Sequence, residues 1–437
     1  MTDVDALTAA APAGARHGGG GRFVLLGIPD VNGSIRGKAL RPAAFDAALR
    51  EGTVVTDLLL ALDPTDLPIT DYDRFGIRSG AGDMLVRPEP DTLSELTWRL
   101  GWSVCLATPY WPDGRPCELA SREVLRRVLD ATVELGYDVL AAFEYEVRIR
   151  DANDRPLSSG ISYSVGDVLR FDDLIGRLEP ALDGLGVELS AVHTEAGPGL
   201  LELNVAARRG LRAADDAALL KLTVKEVAAS LGLRASFLAK TVAGEEGSSG
   251  HVHLSCWRDG ENAFTLPETL GSAVAGILEH LPAASLLLNP TINSYKRLVP
   301  GFFAPVNVSW GHDNRSAAVR VIRSERTELT RIECRRPGAD ANPYLALAAL
   351  VASAADGIRR GLDPPPPVDG DASARVDLPP LPTSLEGALR AFDDAGALRR
   401  ALGETFCDYF RVSRAWELRA WQEAVSDWER DRYERTV

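Results

Sequence analysis

An alternation of apolar and charged side chains recurs along the middle of this chain. In "AAFEYEVRI", Phe143, Tyr145 and Val147 are separated by Glu144 and Glu146. Successive side chains of a β-strand point to opposite faces of the sheet, so the segment predicts a strand with one apolar and one charged face. Such strands are common in antiparallel sheets, where the apolar face packs on a core and the other face is solvated.

Four further segments repeat this pattern. They are "LLELNV" (200–205), "GHVHLSC" (250–256), "AAVRVI" (317–322) and "RIECR" (331–335). A solvated face explains any one of them, but together their polar faces hold Glu, His and Arg, the residues that bind divalent metals and phosphates. We therefore expect one sheet that curls these faces around a common cavity.

Crowded carboxylates are the main feature of that expected cavity. It would collect the following side chains: Glu144, Glu146, Glu195, Glu202, His251 and Glu333. Carboxylates share a buried space only when cations neutralise them, and divalent metals with carboxylate and imidazole ligands do so. Arginines at the rim would hold phosphates, so the pattern predicts metal-assisted phosphoryl transfer from a nucleotide. The chain has no GxxxxGK[ST] loop.

Composition limits the class of protein. The 437 residues suggest two domains, or one large domain with an accessory one. The net charge of −14 argues against non-specific binding to nucleic acid or an anionic membrane. The five cysteines lack CxxC spacing, which favours a reducing cytoplasm over a disulfide framework. No segment is typical of a signal peptide or a membrane-spanning helix, so we expect a soluble cytoplasmic protein.

Turn and helix signals divide the chain. We predict a disordered N-terminus over residues 1–20, and a β-hairpin that turns at Asn32-Gly33. Ser121 is predicted as the N-cap of a helix that ends near Gly136, and Gly361 as the end of a second, apolar helix. We place a small domain at residues 21–108 and a large one at residues 109–437.

Six blocks carry a resemblance to a known family. They are "FEYEV", "HTEAGPGLLEL", "GSSGHVHLS", "NPTINSYKRLVPG", "NRSAAVRV" and "RIECRRPGADANPYLALAAL". In order and spacing the chain resembles the bacterial glutamine synthetase family from about residue 22 onwards. The resemblance implies an α+β fold with a small N-terminal β-grasp domain and a large catalytic domain, whose curved antiparallel sheet is surrounded by helices. It also implies a homo-oligomer of two stacked hexameric rings.

The resemblance also implies roles for residues of this chain. Two or three Mg²⁺ or Mn²⁺ ions per site are implied, one held by Glu146, Glu195 and Glu202 and another by Glu144, His251 and Glu333. ATP would contact His253, Ser255, Arg315 and Arg320. Glutamate would contact His193, Gly247, Arg297 and Arg335. The catalytic arginines would be Arg297, Arg315 and Arg335. Arg331 is interpreted as a surface cation.

One position departs from the family members that use ammonia. Those members carry a glutamate just before "AP" in the loop after "KRLVPG", where this chain has Phe303. A phenyl ring neither accepts a proton nor binds ammonium as a carboxylate does. The second ammonium determinant, an aspartate of the N-terminal domain, has only Asp57 as its nearest equivalent. Glu246 replaces an asparagine before Gly247, which leaves the acyl donor open.

These departures favour one reaction over two alternatives. We expect an ATP-dependent ligase that joins the γ-carboxylate of glutamate to an amine larger than ammonia, with Phe303 in the amine pocket. The first alternative is a glutamine synthetase that uses ammonia with another proton acceptor. The second is a non-catalytic paralogue that binds nucleotide and glutamate, against which the complete set of metal ligands argues.

Overall fold

The structure, a computed structural model, describes residues 21–437. The predicted disorder of residues 1–20 lies outside the described residues. The strands in chain order are β1 (Phe23–Pro29), β2 (Ile35–Leu40), β3 (Thr53–Thr56), β4 (Asp83–Pro88), β5 (Ser94–Glu95), β6 (Trp102–Tyr110), β7 (Asp138–Arg150), β8 (Leu189–Thr194), β9 (Leu200–Val205), β10 (Arg208–Arg209), β11 (Arg234–Ser236), β12 (Gly250–Arg258), β13 (Glu261–Asn262), β14 (Trp310–His312), β15 (Val319–Ile322) and β16 (Arg331–Cys334).

The helices are distributed along the same range. They are α1 (Pro42–Glu51), α2 (Ser121–Glu134), α3 (Val165–Val168), α4 (Asp172–Gly184), α5 (Leu211–Ser230), α6 (Pro267–Leu288), α7 (Ser294–Arg297), α8 (Pro343–Arg360), α9 (Leu385–Asp393), α10 (Gly396–Leu402), α11 (Glu404–Glu423) and α12 (Asp427–Tyr433).

A small sheet forms the N-terminal part of the chain. Its order is β2-β1-β6-β4-β3, with β5 beside β6, and β1 pairs parallel to β6. The predicted hairpin is confirmed, because β1 and β2 pair antiparallel and Gly33 adopts φ +82° in their turn. Helix α1 buries Phe45 against this sheet in a core of its own. The strand β6 continues to Tyr110, and the domain bounds 21–108 and 109–437 stay a prediction.

The five alternating segments become neighbours in one larger sheet. Its order is β14-β15-β16-β12-β7-β9-β8, and β10, β11 and β13 pair at its margins. All these pairings are antiparallel except that of β14 with β15. The apolar faces of the strands join the main core, and the helices pack around them. The α+β fold with a curved antiparallel sheet is confirmed.

Two long helices, α6 and α8, pack against each other in the main core. Helices α6 and α8 approach closely at Gly276 and Gly357. A Cβ atom at Gly276 would lie only 2.7 Å from the Cα atom of Gly357. Helix α6 is long and apolar enough to cross a membrane, but 83% of its most apolar window is buried inside the protein, as in a core helix. Gly361 ends α8 in the left-handed region, as predicted.

One predicted helix cap is wrong. Ala120 is the N-cap of α2, and Ser121 is the first helical residue. The Ser121 hydroxyl donates instead to the carbonyl oxygen of Pro29 at 3.1 Å, which joins α2 to the hairpin. Tertiary contact therefore decides the use of a hydroxyl that local sequence assigns to capping.

Candidate active site

A cavity of about 1150 Å³ lies on the polar face of the large sheet. Every site residue predicted from the sequence lines it: Glu144, Glu146, His193, Glu195, Glu202, Gly247, His251, His253, Ser255, Arg297, Phe303, Arg315, Arg320, Glu333 and Arg335. Asp57 does not line it. That side chain is buried in the N-terminal part of the chain, where it accepts a hydrogen bond from the Gly76 backbone at 3.0 Å.

Strand register brings the charged side chains together. Glu144 on β7 lies opposite His251 on β12, and Glu146 lies opposite Glu202 on β9. Glu333 on β16 lies opposite His253 on one side and Arg320 on the other. Because side chains of directly opposed residues point to the same face, the period of two in each strand becomes a continuous polar surface.

The first group of possible metal ligands is Glu144, His251 and Glu333, whose ligand atoms all lie within 4.8 Å of one another. The His251 imidazole is buried, and among the described residues neither of its nitrogens has a hydrogen-bond partner. A buried polar group without a partner is costly, so an imidazole aimed at two carboxylates suits a metal ion. The residues present fit a divalent cation.

The second group of possible metal ligands is His193, Glu195 and Glu202. Their ligand atoms also lie within 4.8 Å of one another. His193 Nε2 lies 3.0 Å from Glu202 Oε1, and its Nδ1 lies 3.3 Å from Glu195 Oε1. The resemblance assigned Glu146 to this set. One Glu146 oxygen accepts a hydrogen bond from the Ser249 backbone at 2.7 Å, and His193 contacts the other two carboxylates. The assignment of Glu146 to this set stays a prediction.

The two groups differ in charge balance. Burial, together with Glu146 and Glu202, raises the pKa of Glu195 to about 7. At Glu333 burial acts in the same direction, but nearby Arg335 and His251 outweigh it and lower its pKa to about 2. The second group therefore carries negative charge that its protein neighbours do not neutralise, which is the condition that a bound cation relieves.

The arginines occupy different depths of the cavity. Arg297 is buried and donates to the carbonyl oxygens of Arg336 and Arg335 at 3.2 and 3.3 Å. The Arg297 side chain packs directly against the backbone of Gly247. A Cβ atom at Gly247 would lie only 2.6 Å from Arg297 Cγ. Arg320 donates to Glu333 at 2.9 Å. Arg315 is exposed to the cavity, so its cation is accessible to an anionic ligand.

Arg331 and Tyr163 also line the cavity, and neither was predicted as a site residue from the sequence. Arg331 Nε donates to His253 Nδ1 at 3.1 Å, so this arginine faces the cavity and is not a surface cation. The sequence indicates this orientation, because Arg331 lies two residues before Glu333 on β16 and therefore faces the same side of the sheet. Tyr163 stacks on the His193 ring with centroids 4.4 Å apart. It lies in a loop, where periodicity carries no information about direction.

Phe303 marks the rim of the cavity. Its side chain is 67% exposed, and it also lines an adjoining cavity of about 530 Å³. The ring of the preceding Phe302 lies 5.0 Å from Lys240 Nζ. An apolar ring thus stands at the mouth of a cavity whose inner wall is charged.

Known proteins resemble the chain over nearly all its length. Residues 118–433 match the family described as glutamine synthetase, catalytic domain. Gamma-glutamylethanolamide synthetase of Streptomyces coelicolor is 36% identical over 93% of this chain and 91% of its own. Glutamine synthetase of Thermus thermophilus is 34% identical over 94% of this chain and 95% of its own. Glutamate–isopropylamine ligase of a Pseudomonas species is 33% identical over 94% of each chain.

A solved structure has the same fold. GmaS in complex with ADP superimposes with a TM-score of 0.84 at 27% identity, covering 94% of this chain and 96% of its own. The likeness therefore spans both the small sheet and the large one.

Proposed function

Because the chain belongs to the glutamine synthetase family and is a carbon–nitrogen ligase, we propose that it joins the γ-carboxylate of glutamate to an amine larger than ammonia. A carboxylate oxygen first attacks the γ-phosphorus of ATP, and the bond to the β-phosphate breaks. The amine nitrogen then attacks the acyl carbon of γ-glutamyl phosphate. Phosphate leaves, and the nitrogen releases a proton.

The phosphates of ATP would be held by the cationic wall. Arg315 and Arg320 carry the positive charge at the rim, and Arg331 adds a third guanidinium beside His253. Ser255 lies on the same strand face as His253 and is buried beside Trp257, whose indole nitrogen donates to it at 2.9 Å. Guanidinium groups placed in this way stabilise the charge that develops on a transferring phosphoryl group.

Glutamate would be held at the buried end of the cavity. Arg297 is the most buried of the arginines that line the cavity, and the absence of a Cβ atom at Gly247 lets it approach the backbone there. Arg335 contacts Glu333 and also donates to the Arg315 carbonyl oxygen at 2.9 Å, so it lies between the proposed glutamate and phosphate positions. His193 completes this wall. The arrangement holds a dicarboxylate with its reacting end toward the phosphates.

Divalent cations, Mg²⁺ or Mn²⁺, would be held by the two groups of ligands described above, with Glu146 beside the second. Bound there, they would supply positive charge that neutralises the phosphates during transfer. The residues of the chain would orient the two substrates. Oxygen-rich ligands of this kind suit either ion.

The observation that carries the amine assignment is the exposed phenyl ring of Phe303 at the rim. In family members that use ammonia, a carboxylate at the matching position binds ammonium and takes its proton. A phenyl ring there favours the carbon substituent of a larger amine, because it offers apolar contact and no base. Relatives named for ethanolamine and isopropylamine support this choice, although a glutamine synthetase is as similar in identity.

Phosphate release from ATP tests the proposal. Purified protein with glutamate and Mg²⁺ would be given ammonia, ethanolamine, isopropylamine, a diamine or aniline, with Glu333→Gln as the inactive control. Release that depends on one amine class, with ammonia near background, is the expected result. Release with ammonia alone would identify a glutamine synthetase. ATP binding without release from any mixture would identify the non-catalytic alternative.

We also propose a cytoplasmic homo-oligomer of two stacked hexameric rings. All five cysteines are unpaired and buried, which suits a reducing compartment. Near the C-terminus, Trp421, Val425 and Trp428 expose apolar side chains of the kind that subunit contacts cover. Sedimentation of the purified chain gives the number of subunits, and a monomer would contradict the ring assembly.

A further inference from the structure

A buried arginine follows the metal-ligand residues on strand β7. Arg148 is 1% exposed and, by the period of two, faces the same side of the sheet as Glu144 and Glu146. None of the roles assigned above uses it. A buried guanidinium needs several hydrogen-bond acceptors. The segments that supply these acceptors are the segments that Arg148 holds together.

The acceptors come from two loops of the cavity wall. Arg148 Nη1 donates to the carbonyl oxygen of Pro198 at 2.7 Å and to the carboxylate of Glu245 at 2.5 Å. Its Nη2 donates to the carbonyl oxygen of Glu246 at 2.9 Å. Pro198 lies in the loop that follows Glu195, and Glu245 and Glu246 directly precede Gly247. One guanidinium therefore bonds to both loops.

The two loops also lie close together at Gly197 and Glu246. One begins with Glu195, and the other carries two adjacent glutamates. A Cβ atom at Gly197 would lie 3.5 Å from a carboxylate oxygen of Glu246 and 3.1 Å from Arg148 Nη2. The Glu246 carboxylate thus lies over the Glu195 loop, and Arg148 is the cation between them.

We propose that Arg148 is a positioning residue that fixes residues 195–199 and residues 245–247 to each other. By holding Gly247 and Glu246 in place, it sets the binding of the acyl substrate at Arg297. This second statement rests on the proposed function. The coupling of the two loops does not depend on which substrate binds.

Hydrogen exchange tests the coupling without any turnover. Arg148→Met should speed amide exchange in both loops together. Arg150→Met is the matched control, because Arg150 lies two residues further on β7 and bonds to Asp154 at the surface. It should leave both loops as in the wild type. Arg148→Lys, which can reach only one loop at a time, should give an intermediate increase, and it serves as the test if the Met variant does not fold. Exchange that rises in only one loop, or in neither, would overturn the proposal.

Kinetics test the consequence for substrate binding. Arg148→Met should raise the KM for glutamate on the order of 10- to 100-fold, while the KM for ATP changes little. A merely destabilised protein would lose active molecules without this split between the two KM values. Equal rises in both, or none, in an active enzyme would refute the role in substrate binding. A wild type that is inactive with every amine would instead refute the proposed function, and the exchange result would still decide whether Arg148 couples the loops.

Discussion

Phe303 has both an exposed aromatic side chain and an uncommon backbone conformation. Its φ of +51° lies in the left-handed region, which aromatic residues rarely adopt. Together with its exposure this places the ring at a turn over the cavity mouth, where no core contact requires it. From this backbone outlier at the cavity mouth we infer that the Phe303 ring contacts a ligand.

Replacing this ring tests what the amine pocket selects. Phe303→Glu should raise kcat/KM for ammonia about tenfold or more relative to the preferred amine. The physical reason is that a hydrogen bond to a charged group contributes about 1.5–3 kcal/mol, and the carboxylate can also accept the proton. Phosphate release with each nucleophile measures the ratio.

Phe303→Leu provides the control for this change. It removes the ring and keeps an apolar side chain, so ammonia should gain nothing from it. Unchanged ammonia turnover in the Glu variant would show that Phe303 does not determine the choice of nucleophile.

At the scale of elements, helix α5 is tied to the loop before α8 by a buried lysine. Lys221 Nζ donates to the carbonyl oxygens of Ala339 and Ala341 at 2.8 and 3.2 Å, and it lies over the Tyr145 ring. Burial, with a smaller contribution from Lys225, lowers the pKa of Lys221 to about 7. The group therefore binds a proton less readily in the folded than in the unfolded chain.

This difference predicts how stability changes with pH. Between pH 7 and the ordinary lysine value near 10.5, the unfolded state holds the extra proton, so the lysine's contribution to the free energy of unfolding rises with pH. Below pH 7 both states are protonated and the cost of the buried charge is constant. Wild type should gain stability relative to Lys221→Met by up to about 1.4 kcal/mol per pH unit within this window.

Urea unfolding from pH 6 to 9.5 measures this slope. Lys38→Met, which removes an exposed ammonium bonded to the Val54 carbonyl oxygen, is the control and should run parallel to wild type. Parallel curves for wild type and Lys221→Met would mean that Lys221 is protonated in the folded protein.

At the scale of the whole molecule, residues 21–437 contain three groups of acidic and histidine side chains whose ligand atoms lie close enough together to hold a metal ion. Two lie in the main cavity. The third joins α6 and α8 through Glu279, His280 and Asp356, and there Arg360 already donates to Glu279 at 2.6 Å and to Asp356 at 2.9 Å. A guanidinium supplies the positive charge in that group, so we expect metal binding only in the cavity.

Thermal unfolding with Mn²⁺ tests this distinction. Manganese should raise the unfolding midpoint of the wild type, since a ligand present at 100 times its Kd stabilises the folded state by about 2.7 kcal/mol. Glu333→Gln and Glu202→Gln should each reduce the rise. Asp356→Asn should retain it in full. A rise that survives both cavity variants, or is lost with Asp356, would contradict the assignment.

Much of the fold and of the candidate site could be predicted from local sequence. The alternation at Glu144, Glu146 and Glu333 predicted strands with polar faces, and the blocks around these residues indicated the family. Both signals are local, because the direction of a strand side chain depends only on its position in a period of two.

Contacts between distant segments required the tertiary structure. His193 lies with Glu195 and Glu202 in the second group, Arg331 faces His253, and Arg148 joins two loops that are separated by about 50 residues in the chain. Strand register and loop paths decide these contacts. They depend on how the whole core packs, and that information is spread over many residues so that no single segment carries it.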